Sequence, residues 1–210
     1  MINVLVADDH AIVRAGISKI INDDPGMKVI DEASNGAEVL KLIDKQEYDV
    51  ILLDLNMPEI SGLDALKQLR SIRPETPVLV LSMYPENQYA TRTLKAGAAG
   101  YLTKEAAPEN LIEAIRKVVN GGRFITPELA EQLAFSIGTE TRENPHDILS
   151  DREYQVMCAI ASGKSASQVA KELNLSVKTV STYRTRILEK MNFDNNAQLT
   201  HYVIKNDLLP

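Results

Sequence analysis

Several features of secreted and membrane proteins are missing from this chain. Its 210 residues include a single cysteine, Cys158, which cannot form an internal disulfide. No apolar run approaches the roughly 20 residues that a membrane-spanning helix needs, and the first residues lead into an apolar strand pattern instead of a basic signal sequence. We therefore expect a cytoplasmic protein with no membrane partner. Because Cys158 lies among apolar residues in a helical pattern, it is expected to be a buried structural thiol.

Charge divides the chain into two parts. Residues 1–147 carry 15 basic and 23 acidic side chains, a net charge of −8, whereas residues 148–210 carry 8 and 6, a net charge of +2. Residues 138–147 are polar, contain Gly and Pro and lack periodicity, which is typical of a flexible connection. The predicted domains are therefore 1–122 and 148–210, joined by a linker at 123–147 with a short helix at 129–137.

Strand and helix patterns alternate five times in the first part. Short apolar strand candidates lie at 3–7, 28–31, 49–53, 77–82 and 99–102. The helix patterns that follow them lie at 11–22, 36–46, 62–72, 86–96 and 108–120. This succession predicts an α/β fold of the flavodoxin-like type, a five-stranded doubly wound parallel sheet with helices on both faces.

Residues typical of helix ends support these assignments. Asn35 and Glu38 have capping-box spacing. Proline suits the first helical position and glycine the residue after a helix. The residues assigned to these positions are Pro85 and Pro108 at helix starts and Gly97 and Gly121 at helix stops.

The second part shows helix patterns alone. Ser150 and Glu153 predict a capping box for a helix that runs to about residue 162. Further helices are predicted at 166–173, from Ser176 to about residue 191, and at 196–206. We expect an all-α domain of four helices.

Three carboxylates follow buried strands. Asp8 and Asp9 end the first apolar run and Asp54 ends the third, while Lys104 follows the fifth. The carboxyl ends of parallel strands meet at one edge of a sheet, and like charges there need a hard cation such as Mg²⁺ or a lysine to offset them. This pattern predicts phosphate chemistry with Asp54 as the nucleophile. Alternatively, Asp8 and Asp9 cap the next helix and Asp54 is a loop residue; His10 is expected to be a helix-start residue.

The third helix of the second part has one apolar and one polar face. Val180, Ile187 and Met191 recur at helical spacing and are expected to face the core. The outward set is Lys178, Ser181, Thr182 and Thr185. A preceding helix and a short turn complete a helix-turn-helix layout, in which the second helix enters the major groove of DNA. A solvated helix face is the alternative that periodicity leaves open.

Residues 1–122 resemble the receiver domain of bacterial response regulators. The segments that carry the resemblance are Asp8-Asp9, 54–58 (Asp-Leu-Asn-Met-Pro), Ser61-Gly62, Ser82 and 98–104 (Ala-Ala-Gly-Tyr-Leu-Thr-Lys). The resemblance implies that Asp54 accepts a phosphoryl group from a sensor histidine kinase. It further implies that Asp9, Asp54 and the backbone carbonyl of Asn56 ligate Mg²⁺ directly, that Asp8 acts through water, and that Lys104 pairs with a phosphoryl oxygen.

The same resemblance implies a switch. Ser82 would hydrogen-bond the phosphoryl group, and Tyr101 would change rotamer with it, reshaping the face formed by helix 86–96, the last strand and helix 108–120. Taken singly, Ser82 could simply end a strand, and Tyr101 could be a half-buried aromatic whose hydroxyl binds water.

Two residues depart from the family pattern. Met83 replaces a small residue and is expected to narrow access to the phosphoacceptor, and Glu105 replaces proline after the lysine.

Residues 148–208 resemble the LuxR-type domain of the NarL/FixJ response regulators. The segments are 149–153 (Leu-Ser-Asp-Arg-Glu), 163–165, 169–170, 173–176, 178–180 and 187–191. The resemblance implies base contacts by Ser181, Thr182 and Thr185, and phosphate contacts by Lys178, Thr179, Tyr183, Arg184 and Arg186. The partner would be double-stranded promoter DNA, with RNA polymerase as a further candidate. Because a net charge of +2 predicts weak binding by one copy, we expect a homodimer, favoured by phosphorylation, with 196–206 as its contact.

A phosphorylation-dependent transcription regulator, not an enzyme, is the function predicted. The competing hypothesis is a magnesium-dependent aspartyl-phosphate phosphohydrolase or phosphotransferase with a helical interaction domain. Such an enzyme would usually carry a second carboxylate two residues after the nucleophile, where this chain has Asn56, and no other general base is evident. A third hypothesis is a DNA-binding regulator whose receiver no longer accepts phosphate.

Overall fold

A computed structural model describes residues 1–127, 129–131, 145–173, 175–206 and 208–209, without the side chains of Asn87, Gln88 and Asp147. The chain divides into two compact units, Met1–Glu131 and Gln132–Pro210. Backbone at 127 and 129–131 is helical. The rest of the helix predicted at 129–137 lies outside the described residues.

The first unit is the predicted five-stranded parallel sheet. Its strands are β1 (Ile2–Ala7), β2 (Met27–Ala33), β3 (Val50–Asp54), β4 (Val78–Ser82) and β5 (Gly100–Thr103), in the order β2-β1-β3-β4-β5. The helices between and after them are α1 (Ala11–Asn22), α2 (Gly36–Ile43), α3 (Gly62–Ile72), α4 (Glu86–Lys95) and α5 (Ala107–Val119). The α/β prediction is confirmed, and most ends differ from the predicted ones by one or two residues.

Burial explains why the strands could be predicted from short apolar runs in the sequence. All residues of β3 and β4 are buried, because helices cover both faces of the sheet. On one face, Leu52 and Leu81 of these strands belong to a core cluster with Leu111 and Ile115 of α5. Asp54 ends the central strand, so the apolar interior of the sheet stops at a carboxylate.

Helix starts show three corrections, one of which is that Pro108 is the second residue of α5 and not the first, because the helix begins at Ala107. The Asn35 side chain caps α2 by accepting from the Glu38 N–H at 2.8 Å, but the Glu38 carboxylate accepts from the Ser34 N–H instead of the Asn35 N–H. The predicted capping box is therefore only half formed. The Glu38 carboxylate binds the N–H of Ser34, one residue before the N–H of Asn35 that a capping box requires. Pro85 is the N-cap of α4 and not its first residue, since its ψ of 154° is still extended. Gly97 follows α4 with a φ of +101°, as predicted for a helix stop.

The chain after α5 returns to the edge of the sheet. Phe124 bridges Gly100 of β5 in a parallel manner, and the Tyr101 N–H donates to the Phe124 carbonyl at 3.1 Å. A Cβ on Gly100 would lie 2.7 Å from that carbonyl oxygen. Glycine at this position therefore permits the close approach of the two backbones.

The second unit consists of helices in its described residues. A 3₁₀ turn (Pro145–Ile148) leads to α6 (Asp151–Ala161), α7 (Ala166–Glu172), α8 (Val177–Met191) and α9 (Asn196–Lys205). The predicted capping box between Ser150 and Glu153 is present at the start of α6. Cys158 is buried on α6, as predicted, and as the single cysteine of the sequence it forms no internal disulfide. No helix among the described residues of the chain is long and apolar enough to span a membrane.

Candidate functional site

The three predicted carboxylates converge at the carboxyl ends of β1 and β3. One ligand atom from each of Asp8, Asp9 and Asp54, together with one from His10, lies within 4.8 Å of all the others. Asp8 and Asp54 are 1% and 2% exposed. The Asp8 carboxylate accepts from the His10 N–H at 2.8 Å, before α1 begins, so it does not cap that helix. We call these four residues the acidic pocket.

Lys104 enters the acidic pocket from the end of β5. Its Nζ lies 2.7 Å from Asp8 Oδ2 and 2.9 Å from Asp54 Oδ2, and its side chain is 7% exposed. The Lys104 N–H donates to the Ser82 carbonyl at 2.8 Å, which fixes the loop that carries the lysine. Burial raises the pKa of Asp54, although Lys104 opposes the shift. Burial acts to lower the pKa of Lys104, but Asp54 and Asp8 outweigh it and raise that pKa.

The oxygen atoms of the acidic pocket fit a hard divalent cation. Asp8 Oδ2 and Asp9 Oδ1 are buried and accept no hydrogen bond of good geometry within the described residues. Asp8 Oδ2 lies 2.7 Å from Lys104 Nζ, and Asp9 Oδ1 lies 2.6 Å from Nδ1 of His10. Three carboxylates and one lysine leave excess negative charge, which Mg²⁺ with its preference for oxygen ligands would neutralise. His10 is the N-cap of α1, as predicted, yet it also borders the pocket.

Ser82 and Tyr101, the two residues of the switch hypothesis, are both buried. The Ser82 hydroxyl accepts from the Tyr84 N–H at 3.1 Å. Tyr101 is 1% exposed and its hydroxyl donates to the Tyr84 carbonyl at 2.7 Å, so the alternative of a half-buried tyrosine bound to water is wrong. Burial raises the pKa of Tyr101. The Met83 side chain is 74% exposed.

Tyr84 was not predicted to take part in this site. Its hydroxyl accepts from the Asn56 side-chain amide at 3.0 Å, while the Asn56 N–H donates to Asp54 at 3.2 Å. The Tyr84 ring stacks on Tyr89 with 4.6 Å between centroids. The only sequence signal was its position two residues after Ser82, which no periodicity marks.

Helix α8 presents the predicted polar face. Val180, Ile187 and Met191 are buried, which confirms the predicted core face. The predicted DNA-contacting residues with exposed side chains are Lys178, Ser181, Thr182, Arg184, Thr185 and Arg186, and those with partly buried side chains are Thr179 and Tyr183. The helix begins at the cap Ser176 and follows α7 after a short turn. The two elements therefore form a helix-turn-helix.

The predicted dimer contact, α9, also has an apolar residue on its surface. Leu199 and Val203 are buried in the second unit. Ile204 is 59% exposed. At the start of α9, Asn196 accepts from Arg184 Nε of α8 at 2.7 Å.

Sequence comparisons match both parts of the chain. Residues 4–116 match the response regulator receiver domain family, and residues 147–203 match the family of bacterial regulatory proteins of the luxR type. The response regulator UvrY of Escherichia coli is 42% identical over 209 residues, which are 99% of this chain and 96% of UvrY.

Solved structures extend these matches to the fold. RcsB from Salmonella enterica serovar Typhimurium, bound to promoter rprA in the presence of phosphomimetic BeF₃⁻, has a TM-score of 0.63 and 26% identity, covering 97% of this chain and 99% of that one. A structure of two RcsB dimers bound to two parallel DNAs has a TM-score of 0.58 and 27% identity, covering 97% and 98%. With the receiver match over more than half of the residues, these similarities show that the chain belongs to the NarL/FixJ family of two-component response regulators, in which a receiver domain is joined to a LuxR-type DNA-binding domain.

Proposed function

We propose that Asp54 accepts a phosphoryl group from a sensor histidine kinase and that phosphorylation controls DNA binding by this transcription-regulating response regulator. The observation that carries the proposal is the position of the Lys104 ammonium group. Its Nζ lies within 2.9 Å of the buried carboxylates of both Asp8 and Asp54. An Asp54 oxygen attacks phosphorus, the bond from phosphorus to the kinase histidine nitrogen breaks, and an acyl phosphate forms. Lys104 then neutralises a phosphoryl oxygen.

Asp9 and Asp54 of the acidic pocket would hold Mg²⁺ together with the backbone carbonyl of Asn56, and Asp8 would act through water. When bound, the ion would neutralise charge on the transferred group. Ser82 and Tyr101 form the proposed switch. Both are already joined to Tyr84, so a hydroxyl drawn toward a phosphoryl oxygen would disturb the β4–α4 connection.

The proposed DNA contacts are those of α8. Ser181, Thr182 and Thr185 would face bases, and the cationic and flanking polar side chains would contact phosphates, as the LuxR-type match and the exposed polar face support. The working domains would be 1–122 and 148–210, joined by 123–147. A homodimer through α9 would fit paired half-sites, and the similarity to RcsB, which binds DNA as dimers, supports a dimeric DNA-bound form. Promoter DNA as partner places this function in the cytoplasm, with RNA polymerase as a candidate further partner.

Intact-mass measurement tests the phosphoryl transfer. The purified chain and Asp54→Asn are incubated with a small acyl-phosphate donor, with Mg²⁺ or with EDTA. We expect one added phosphoryl mass on the wild type, with Mg²⁺ only, and none on Asp54→Asn. Gel-shift titration of both forms on promoter DNA then measures whether phosphorylation raises affinity.

Other outcomes identify the competing functions. A stable protein without adduct or released phosphate would indicate a phosphate-independent regulator. Fast multiple-turnover release of phosphate would indicate a phosphohydrolase. We expect slow release instead, because Asn56 supplies no general base two residues after Asp54.

A further inference from the structure

A hydrogen bond joins the start of α4 to the chain that follows the receiver domain. Thr126 Oγ1 donates to Glu86 Oε2 at 2.6 Å. Glu86 is the first residue of α4, two residues after Tyr84, and Thr126 lies just beyond the bridge between Phe124 and β5. The bond therefore joins the proposed switch region to residues that lead toward the DNA-binding domain.

Thr126 also starts the helical turn that follows it. Its hydroxyl oxygen accepts from the Leu129 N–H at 3.2 Å, and its carbonyl accepts from the Ala130 N–H at 3.0 Å. These are the bonds of a helix N-cap. One hydroxyl thus donates to Glu86 and accepts from the turn, so the geometry of the turn depends on the position of Glu86. Leu129 in the same turn is buried, and the turn belongs to the first unit.

Among the described residues, no other side chain donates to the Glu86 carboxylate and could replace Thr126. Its second carboxylate oxygen is buried and has no hydrogen-bond partner in the described part of the chain. Glu86 is partly buried, and loss of the remaining hydrogen bond of a carboxylate that is shielded in this way costs free energy. A shift of Glu86 should therefore either carry Thr126 along or expose the carboxylate to water, and both outcomes alter the turn.

A short path connects Glu86 to Asp54. The Asn56 N–H donates to Asp54, and the Asn56 amide donates to the Tyr84 hydroxyl. The Tyr84 N–H donates to the Ser82 hydroxyl, and the Tyr84 carbonyl accepts from Tyr101. Tyr84 is thus held on three sides by residues of the phosphorylation site or the switch. A rearrangement of Ser82 toward a phosphoryl group would move Tyr84 and, through Pro85, the start of α4.

We propose that the bond between Thr126 and Glu86 is a latch that holds the first turn of the interdomain connection, and that phosphorylation of Asp54 releases it. This inference rests on the proposed phosphorylation. The latch is a two-state element that the phosphorylation site biases, and its release frees the turn that begins at Thr126 from the start of α4. By thermodynamic reciprocity, opening of the latch in turn favours the phosphorylated arrangement.

Hydrogen exchange of the full chain tests the latch. Exchange is measured by mass spectrometry on the peptide that contains residues 126–131, before and after treatment with the acyl-phosphate donor and Mg²⁺. Loss of a serine or threonine cap changes helix opening by about fivefold. If release from Glu86 lets Thr126 leave its capping position, phosphorylation should speed exchange of the Leu129 and Ala130 amides by up to about fivefold in the wild type. Thr126→Val keeps the shape but removes the hydroxyl, so exchange should already be fast and should not respond. Thr126→Ser keeps the hydroxyl and should respond as the wild type does.

Intact mass on the same samples separates the inference from the proposed function. An adduct without any change of exchange at 126–131 in the wild type would overturn the latch and leave the phosphorylation standing. So would a Thr126→Val protein that still responds to phosphorylation. Absence of the adduct in the wild type would overturn the proposed function and the latch together.

Discussion

Replacement of Gly62 by alanine should displace Asp54 and disable the acidic pocket. Gly62 is the first residue of α3, and its N–H donates to the Leu55 carbonyl at 3.1 Å. A Cβ at this position would lie 1.9 Å from the carbonyl oxygen of Asp54 and 2.8 Å from its carbonyl carbon. Both atoms belong to the backbone, so neither can rotate away as the end of a flexible side chain can.

The size of the displacement sets the expected effect. An ordinary contact to a Cβ begins at 3.4 Å, so β3 and the start of α3 must separate by about 1.5 Å. A shift of that size would break the 2.9 Å contact between Asp54 and Lys104. Overpacking costs up to about 3 kcal/mol, and a 1 Å misplacement near a reacting group costs about 100-fold in rate. We expect Gly62→Ala to destabilise the first unit by about 3 kcal/mol and to slow phosphorylation about 100-fold.

Gly16→Ala is the matched control. Gly16 lies inside α1, and no atom lies within 4 Å of a Cβ built there. Alanine in place of a helix-interior glycine should stabilise by about 0.5–1 kcal/mol. Urea unfolding followed by circular dichroism gives the stability of each variant, and intact mass against time gives the phosphorylation rate. A Gly62→Ala protein with the wild-type urea midpoint and the wild-type rate would refute the reasoning.

Three further predictions concern charge. Asp54→Asn should raise the free energy of unfolding in Mg²⁺-free buffer by about 1 kcal/mol, seen as a higher urea midpoint, because it removes one of two buried carboxylates that share a lysine. Mg²⁺ should stabilise the wild type more than this variant. Burial acts to raise the pKa of Glu153, but hydrogen bonds from Lys190 and a backbone N–H outweigh it and lower the pKa. The ionised Glu153 therefore stabilises the folded second unit at pH values above its ordinary pKa of 4.5, and this stabilisation is lost as the pH falls through the lowered pKa. Circular dichroism should show acid unfolding of the second unit, and the unfolding should be less steep with pH in Glu153→Gln. Lys178→Ala should reduce the salt dependence of DNA binding by about one counterion, whereas Lys164→Ala, a lysine paired with a carboxylate on α7, should leave it unchanged in gel-shift titrations.

The carboxylates of the pocket were predictable because a buried strand signals its own end. Every residue of β3 is buried, so the change from Leu53 to Asp54 marked both the end of the strand and the edge of the sheet. Parallel strands then bring such ends together without any further information. Tyr84 gave no comparable signal. Its role depends on a hydrogen bond to Asn56, 28 residues earlier, and on a stack with Tyr89, which only the folded loops bring about.

On α8, sequence periodicity determined which face is polar but not what that face offers to DNA. In the structure the Ser181, Thr182 and Thr185 hydroxyls each donate to the carbonyl four residues earlier, at 3.0–3.2 Å. A hydroxyl that donates within its own helix retains acceptor lone pairs toward the groove, and the two threonines also carry methyl groups. Acceptors suit the exocyclic amines of adenine and cytosine, whereas the acceptor atoms of guanine would first require the hydroxyl to rotate and give up its bond within the helix. If these hydroxyls face bases as proposed, the choice of base would depend on their rotamers, and a pattern of residue types does not encode rotamers.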